Sequence, residues 1–359
     1  MDCGLCQKIC NFHPVDKKTP IATLVAQRKS NDILKSASGG IFAELASKVI
    51  EQGGVVYGCI FERQHGVLRP IIAEATTIAE VEPMLGSKYV QSDTYDSYKK
   101  VKNRLKEGRM VLFSGLPCQV AGLKGFLRKD YENLITLDII CHGVPNERFF
   151  QSYISDLESK IQGVITKFNF RGKIKGWGDF AYTYTYTDIK GKERNAWGCL
   201  EDSVYYKMFL ASSIYRESCY HCPFASIHRP SDITIGDCWG IDVEHPEYDK
   251  KQGGDFDFKK GISCVIVNTE LGSSFVKSNG SGLVLSQISL DSVARYNHQL
   301  SRPSYDSSYR KEYYQAFRQG KYRGLKKKYY QLEWKQILKS KIYKITPDGL
   351  IHLIHIVKK

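Results

Sequence analysis

The chain has 359 residues, of which 42% are apolar and 25% are charged, as in folded globular proteins. No apolar run approaches the roughly 20 residues that span a bilayer, and the start Met1-Asp2-Cys3-Gly4 lacks the basic flank and apolar core of a secretion signal. We therefore expect a cytoplasmic protein, in which the eleven cysteines serve metal binding or catalysis rather than disulfides.

The first third of the chain alternates between helix and strand patterns. Ser38-Gly39-Gly40 precedes an apolar periodic run that predicts a helix from Ile41. Residues 55–61 predict a buried strand, and 94–107 predict a charged helix.

Residues 109–145 show the clearest pattern. Within them, 110–113 and 134–140 predict strands and 119–127 predict a helix. This order and spacing predict a βαβ unit with parallel strands. Cys118 and Cys141 then follow the carboxyl ends of neighbouring strands, the edge where open α/β sheets bind ligands.

The second half adds an antiparallel strand and a basic end. Alternation over 180–186 predicts a half-exposed antiparallel strand, and 233–237 predict another strand. Residues 301–359 are predicted to be helical and carry 15 lysines and arginines against 4 acidic residues. This extension is either a solvated helix or a basic patch that binds an acidic partner, an anionic membrane surface or nucleic acid. We do not expect it to recognise a specific nucleic acid.

These patterns predict an α/β (α+β) fold: a mixed sheet with βαβ units flanked by helices, plus a basic helical C-terminal extension. The expected divisions follow the changes in pattern: a cysteine-rich segment at 1–12, an N-terminal domain at 28–110, a second domain at 111–290 and the extension at 300–359.

Four cysteines form the candidate metal centre. Cys219 and Cys222 form a C-x-x-C pair, a spacing that suits one metal, one cluster edge or a redox dithiol. If Cys118 and Cys141 join them, four thiolates suit a [4Fe–4S] cluster or a Cys₄ zinc site. Cys238 is an alternative fourth ligand that ranks behind Cys118.

The N-terminal cysteines match an incomplete ferredoxin motif. Cys3, Cys6 and Cys10 have the spacing of the last three ligands of C-x₂-C-x₂-C-x₃-C, whose first cysteine is missing. The segment is interpreted as a remnant of a ferredoxin module, and whether Met1 is the true start of the protein stays open.

Several separated blocks resemble one family. They are residues 36–42, 86–92, 115–119, 141–145, 170–177, 219–222 and 232–240. Over roughly residues 1–290 the chain resembles the coenzyme F420 hydrogenase/dehydrogenase beta-subunit family, which includes an iron–sulfur flavoprotein chlorophyll reductase. The resemblance implies FAD beside a [4Fe–4S] cluster, a protein electron donor or acceptor, and a small organic substrate. The shortened N-terminus is similar to members found with polysaccharide biosynthesis genes, so the acceptor could be coenzyme F420 or a polysaccharide-pathway substrate.

The same blocks supply candidate flavin-site residues. Serine hydroxyls and glycine N–H groups at a helix start can bind phosphate, although a plain helix cap has the same composition. Arg171 and Lys173 could clamp an anion, while most lysines simply face water. The candidate cofactor residues are Ser36, Ser38, Gly39, Gly40, Ser87, Lys88, Tyr89, Gln91, Arg171, Lys173 and Asp237. His142 and Lys88 are the candidate catalytic residues, His142 for tuning potential or moving protons.

Two other functions compete with this interpretation. Pro117-Cys118-Gln119 is also the nucleophile motif of cytosine-5 methyltransferases, but the glycine-rich cofactor loop and Glu-Asn-Val motif of those enzymes are missing from the sequence. The stronger alternative is a zinc-stabilised Cys₄ binding or scaffold protein without redox activity.

Overall fold

The structure of the protein is a computed structural model that describes residues 19–334, except Lys175 and Asp179. It contains eleven strands: β1 (Ala22–Arg28), β2 (Val55–Gln64), β3 (Val67–Ala75), β4 (Val111–Gly115), β5 (Leu134–Ile139), β6 (Gly163–Asn169), β7 (Tyr182–Asp188), β8 (Glu193–Gly198), β9 (Ile233–Asp237), β10 (Ser263–Val267) and β11 (Leu283–Gln287).

The α-helices within the described residues are α1 (Ile41–Glu51), α2 (Ile78–Val81), α3 (Ser97–Lys106), α4 (Pro117–Leu127), α5 (Glu147–Ile161), α6 (Val204–Leu210), α7 (Glu217–Tyr220), α8 (Ile241–Glu244), α9 (Glu270–Asn279), α10 (Leu290–Tyr296) and α11 (Arg310–Leu332). Short 3₁₀ turns occupy Asn31–Lys35, Glu82–Met84, Leu200–Asp202, Pro246–Tyr248, Lys250–Gln252, Phe258–Lys260 and His298–Leu300. No helix in the described part of the chain is both long and apolar enough to cross a membrane.

An eight-stranded mixed sheet forms the centre of the fold. Its order is β11-β1-β10-β9-β5-β4-β2-β3. The central strands β9, β5, β4 and β2 are parallel, and the strands on both sides of them pair antiparallel. The predicted mixed α/β fold is confirmed. The division at 110/111 stays a prediction, and strands from both sides of it share this sheet.

The predicted βαβ unit is present as β4, α4 and β5. β4 and β5 are parallel neighbours, with Val111 opposite Leu134. Pro117 stands in the first turn of α4, where its missing N–H leaves no helical hydrogen bond unmade. Because β4, β5 and β9 run in parallel, their carboxyl ends meet at one edge of the sheet, which positions the candidate site.

A second, three-stranded antiparallel sheet follows the order β6-β7-β8. β7 is the antiparallel strand that the alternation over 180–186 predicted, although it begins at Tyr182 rather than at residue 180. Tyr182, Tyr184 and Tyr186 line up on one face, with ring centroids 6.1 and 5.9 Å apart. This face belongs to an aromatic core that also includes residues of α5, α6 and α11.

The C-terminal helix α11 packs against the body of the protein. Its backbone departs from helical geometry at Gly320 and Lys321. Tyr313, Tyr322 and Leu325 are buried in the aromatic core, because an apolar face gains free energy when it leaves water. The helical extension is confirmed up to Leu332, and it is not a free solvated tail there. Residues 335–359 and the ferredoxin-like segment 1–12 lie outside the described residues.

Candidate active site

A cleft of about 380 Å³ opens at the carboxyl ends of the parallel strands. Its walls come from the ends of β4, β5 and β9, the start of α1 and the segment that precedes α3. The lining is mainly apolar with a few convergent polar groups, as in small-molecule sites. Since ligands bind at this edge of open α/β sheets, the cleft is the candidate active site.

Four thiols approach one another next to residues that line this cleft. Cys118 lies in the first turn of α4, Cys141 follows β5, and Cys219 and Cys222 lie on α7 and the turn after it. Burial raises the pKa of Cys118 to about 11, and nearby Cys222 and Cys219 add to this increase. Burial also raises the pKa of Cys141, with contributions from the other three thiols. The structure thus gathers the four cysteines that the sequence singled out.

Backbone N–H groups surround three of these sulfurs and partly offset the effect of burial on their pKa values. The donors are the N–H groups of Cys118 and Gln119 for Cys118, Gly143 for Cys141, and Phe224 and Ala225 for Cys222. Hydrogen bonds to sulfur are a recurrent feature of iron–sulfur sites. Such donors also stabilise the thiolate form that binds a metal.

The spacing of the thiols bears on the size of the group that they could hold. Among the described residues, no group of three or more His, Cys, Asp or Glu is close enough to hold a single metal ion. The four thiols are nevertheless near enough for their charges to interact. A cubane carries each thiolate on a different iron and so tolerates wider spacing than one ion does. The four cysteines therefore fit an iron–sulfur cluster both in ligand type and in their closeness to one another.

A buried ion pair supports the thiol-bearing turns. Arg229 Nη2 lies 3.0 Å from Asp138 Oδ1, and both side chains are almost fully buried. Arg229 also donates to the carbonyl oxygens of Phe224 (2.8 Å) and Ile139 (2.9 Å). It therefore fastens the turn after Cys222 to the end of β5, which leads to Cys141.

The start of α1 contributes Ser36, Ser38 and Gly40 to the cleft. The Ser36 hydroxyl is buried and has no hydrogen-bond partner within the part of the chain that the structure describes. Ser38 instead donates to the carbonyl of Ile262 at 2.7 Å. Gly40 has a φ of 82°, which favours glycine at the helix start. Ser36 is therefore the member of this segment with an unused polar group facing the candidate site.

Gly39 packs behind the cleft rather than lining it. Its N–H donates to the Ser263 hydroxyl at 2.8 Å. A Cβ atom at Gly39 would collide with the backbone oxygen of Ala26 and crowd the Ser263 N–H. Glycine is thus required here because the loop closely approaches the sheet, and its N–H is already used within the protein.

Lys88 lines the cleft, but its ammonium group is occupied by the protein backbone. The acceptors, at 2.8 to 3.2 Å, are the carbonyl oxygens of Pro83, Leu85 and Gly86. Burial lowers the pKa of Lys88 to about 8, and nearby Cys59 opposes this change. Its predicted catalytic role stays a prediction, and the contacts give it a local role in holding the 83–88 turn.

The remaining residues of this block divide between the cleft and its surroundings. Ser87 and Tyr89 line the cleft. The ring of Tyr89 stacks on Phe209 with centroids 4.2 Å apart. Gln91 lies away from the lining and accepts a hydrogen bond from Arg216, which connects it to the segment before Cys219.

Arg171 and Asp237 form a second buried ion pair, this one within the cleft wall. Arg171 Nη1 lies 3.1 Å from Asp237 Oδ2, and the arginine side chain is only 1% exposed. The other carboxylate oxygen accepts from Trp177 Nε1 at 2.7 Å. Trp177 stacks on Trp239 with centroids 4.7 Å apart. Arg171 Nε is buried and has no hydrogen-bond partner among the residues that the structure describes, which makes it a second unused donor at the site.

Lys173, predicted to clamp an anion, instead connects three backbone segments. Its Nζ donates to the carbonyl oxygens of Ile33 (3.1 Å), Ser38 (2.7 Å) and Lys260 (2.6 Å). Burial lowers its pKa to about 7, with Asp237 opposing the change. These contacts hold the start of α1 in place and leave no ammonium proton for a ligand.

His142 lies at the cleft, immediately after Cys141. Its side chain is exposed, while its backbone oxygen accepts from the Ser304 hydroxyl at 2.6 Å. Both Asp237 and His142 line the same cavity. The predicted catalytic role of His142 stays a prediction.

Cys238, the alternative ligand, lies apart from the four thiols. It is 2% exposed and packs in an apolar cluster that also contains Cys264. Burial raises the pKa of Cys238 to about 12, with Asp237 as the neighbouring charge. Cys238 thus behaves as a small core residue.

Sequence reasoning missed several residues that build the site. Gln119 accepts from the N–H of Leu116 at 2.9 Å and donates to the Ser92 hydroxyl at 2.9 Å, which joins the Cys118 turn to the segment before α3. Its place in the Pro117-Cys118-Gln119 block was the available signal. Arg229 had no such signal, because its partner Asp138 is 91 residues away in the chain.

Comparisons with known proteins give the family and the fold of the chain. Residues 108–289 match the family model that describes the C terminus of the coenzyme F420 hydrogenase/dehydrogenase beta subunit. One similar solved structure is a chain of the F420-reducing [NiFe] hydrogenase complex from Methanosarcina barkeri, determined with xenon derivatization. The identity is 17%, the TM-score is 0.50, and the match covers 84% of this chain and 94% of that chain. No curated protein matches the chain.

Proposed function

Because the chain belongs to the coenzyme F420 hydrogenase/dehydrogenase beta-subunit family, a family of oxidoreductase subunits, we propose that it is an iron–sulfur flavoprotein oxidoreductase. In this proposal, Cys118, Cys141, Cys219 and Cys222 hold a [4Fe–4S] cluster and the adjacent cleft holds FAD. The observation that carries the proposal is the mutual approach of four thiols beside the cleft.

The cleft supplies groups that suit a flavin nucleotide. The unpartnered Ser36 hydroxyl at the start of α1 is placed to donate to a phosphate, and the helix N-terminus favours negative charge. Arg171 Nε is a further unused donor. Trp239, Phe180 and Phe209 add aromatic surface for an isoalloxazine ring.

The two cofactors would supply complementary chemistry. A flavin exchanges electron pairs with organic molecules, whereas a cluster transfers single electrons. The protein's own contribution is to orient both groups. The organic acceptor would be coenzyme F420 or a polysaccharide-pathway substrate.

A protein partner would donate or accept the single electrons. The similar structure comes from a hydrogenase complex, which supports assembly with another protein. The exposed lysines of α11 supply charge for an acidic partner or an anionic membrane surface. A cytoplasmic location suits this chemistry, because metal-binding thiols need a reducing compartment.

Replacing Cys219 with Ser tests the proposed ligand set. Under argon the wild-type protein should be brown with releasable flavin, and the variant should lose iron and visible absorbance. Cys199→Ser is the matched control, since Cys199 is a half-buried cysteine outside both the four-thiol group and the lining of the cleft. Unchanged iron and spectrum in Cys219→Ser would remove this residue from the set, and a colourless zinc-containing wild type would favour the Cys₄ scaffold.

A further inference from the structure

The segment 304–314 contacts both cysteine-bearing regions, although it lies beyond residues 108–289 that the family model matches. Ser304, Arg310 and Tyr314 make these contacts. They lie in and before the first turns of α11, whose later turns are anchored in the aromatic core. The helix is therefore fixed at one end and meets the thiol region at the other.

The first contact is with the Cys141 segment. The Ser304 hydroxyl donates to the backbone oxygen of His142 at 2.6 Å, one residue after Cys141. Gly143, the next residue, has a φ of 127°, and a Cβ atom there would collide with the Tyr215 ring. The backbone after Cys141 is thus held between Ser304 on one side and Tyr215 on the other.

The second and larger contact is with the Cys219 region. Arg310 Nη1 lies 2.7 Å from a carboxylate oxygen of Glu217, and Nη2 donates to the Tyr215 carbonyl at 3.2 Å. The guanidinium also lies over the rings of Tyr220 (5.0 Å) and Tyr314 (4.5 Å). Glu217 and Tyr220 are the first and last residues of α7, which contains Cys219.

Tyr215 connects the two cysteine regions with each other. It forms an antiparallel bridge with Pro145, and the N–H of Arg216 donates to the Val144 carbonyl at 2.9 Å. The Tyr215 carbonyl accepts a hydrogen bond from Tyr314 Oη at 2.9 Å as well as one from Arg310. A group that holds Tyr215 therefore orients the chain on both sides of the thiols.

We propose that Ser304, Arg310 and Tyr314 form a clamp that positions the Cys219–Cys222 loop against the Cys141 segment. Arg310 is the principal positioning residue, because its side chain is only 14% exposed and joins α7, Tyr215 and α11. Charge-assisted bonds of a partly buried guanidinium are stronger than neutral ones. The clamp acts on the protein alone and does not depend on which metal or cofactor the thiols bind.

Thiol alkylation of the metal-free full-length protein tests the clamp. Iodoacetamide pulses followed by mass spectrometry give a separate rate for each cysteine. Loss of the Arg310 contacts in Arg310→Ala should raise the alkylation rates of Cys219 and Cys222 about tenfold through local opening. The rate of Cys264, which is fully buried in β10, should not change and reports global unfolding.

Matched variants separate positioning from a general loss of stability. Arg318→Ala removes an exposed arginine from the same helix and should leave all rates unchanged. Arg310→Lys keeps a cation facing Glu217 and should bring the rates of Cys219 and Cys222 back toward wild type. Tyr314→Phe removes only the hydroxyl bound to Tyr215 and should raise these two rates about threefold.

Wild-type alkylation rates at Cys219 and Cys222 in Arg310→Ala would overturn the clamp, and so would a failure of Arg310→Lys to slow them. If Arg310→Ala also exposes Cys264, Tyr314→Phe decides the question. An increase confined to Cys219 and Cys222 in that variant supports the clamp, and an unchanged rate overturns it.

Discussion

Two groups of side chains near the cleft differ in how their charges are satisfied. The thiol end consists of Cys118, Cys141, Cys219 and Cys222 beside the cleft, and the basic end consists of Lys88, Arg171 and Lys173. At the basic end, each lysine donates to three backbone carbonyls and Arg171 pairs with Asp237. At the thiol end, burial raises the pKa values of Cys118 and Cys141, and the neighbouring sulfurs add to this increase. A region whose charged groups already have partners supports structure, whereas thiols with raised pKa values stay protonated and neutral until a metal displaces their protons.

The largest effect should follow from removal of one thiol. We expect Cys141→Ser to lose nearly all iron while retaining its flavin, because in the proposed function the thiols hold the cluster and the cleft holds FAD. Iron and flavin analysis of protein purified under argon gives both values. Retention of iron would exclude Cys141 as a ligand, and joint loss of iron and flavin would contradict the separation of the two ends.

The next largest effect concerns the ion pair that supports the thiol end. Arg229→Leu leaves Asp138 buried without its partner and should lower the free energy of unfolding by about 3–5 kcal/mol. Urea denaturation measures this change. The double variant Arg229→Leu/Asp138→Leu removes both charges and should recover much of the loss. A single variant as stable as wild type would show that the pair does not support the fold.

A pH series tests the basic end. Burial lowers the pKa of Lys173 to about 7 from 10.5, so between these values the unfolded chain holds a proton that the folded chain has released. The free energy of unfolding should then rise with pH in this window. The difference between wild type and Lys173→Met should grow by roughly 2 kcal/mol between about pH 7 and about pH 9.

Urea denaturation at both pH values measures this difference, and the methionine variant removes the contribution of every other titrating group. A pH-independent difference would mean that the three carbonyl acceptors keep Lys173 protonated throughout. That result would contradict the effect of burial on its pKa.

The smallest predicted effects compare two serines at the start of α1. Ser36→Ala should weaken FAD binding by about 1 kcal/mol with little change in stability, because the hydroxyl has no hydrogen-bond partner among the described residues. Ser38→Ala should lower stability by about 1 kcal/mol, because it removes the bond to Ile262. Flavin titration measures the change in FAD affinity and urea denaturation measures the change in the free energy of unfolding for both variants. Equal changes of both quantities in Ser36→Ala and Ser38→Ala would contradict the prediction.

The sequence predicted the main features of the fold because they are encoded locally. The apolar runs and the Pro117 turn define the β4–α4–β5 unit within about thirty residues, and period-two tyrosines define β7. The tertiary contacts of the polar side chains are not encoded locally. Lys173 reaches Ile33 and Lys260, and Arg229 reaches Asp138, across separations that no motif spans.

The cysteines were easier to place than the lysines for a physical reason. Cys118 and Cys141 follow the ends of adjacent parallel strands, so sheet geometry alone brings them to one edge. Lys88 and Lys173 have long, flexible side chains, and their motif positions do not say whether a ligand or the backbone will accept their protons.

In the proposed function, four thiols hold one iron–sulfur cluster beside a flavin. Iron, acid-labile sulfide, zinc and flavin can be counted in wild-type protein purified under argon. We expect about four irons and about four sulfides per chain with bound FAD and no zinc. Zinc without sulfide or flavin would contradict it.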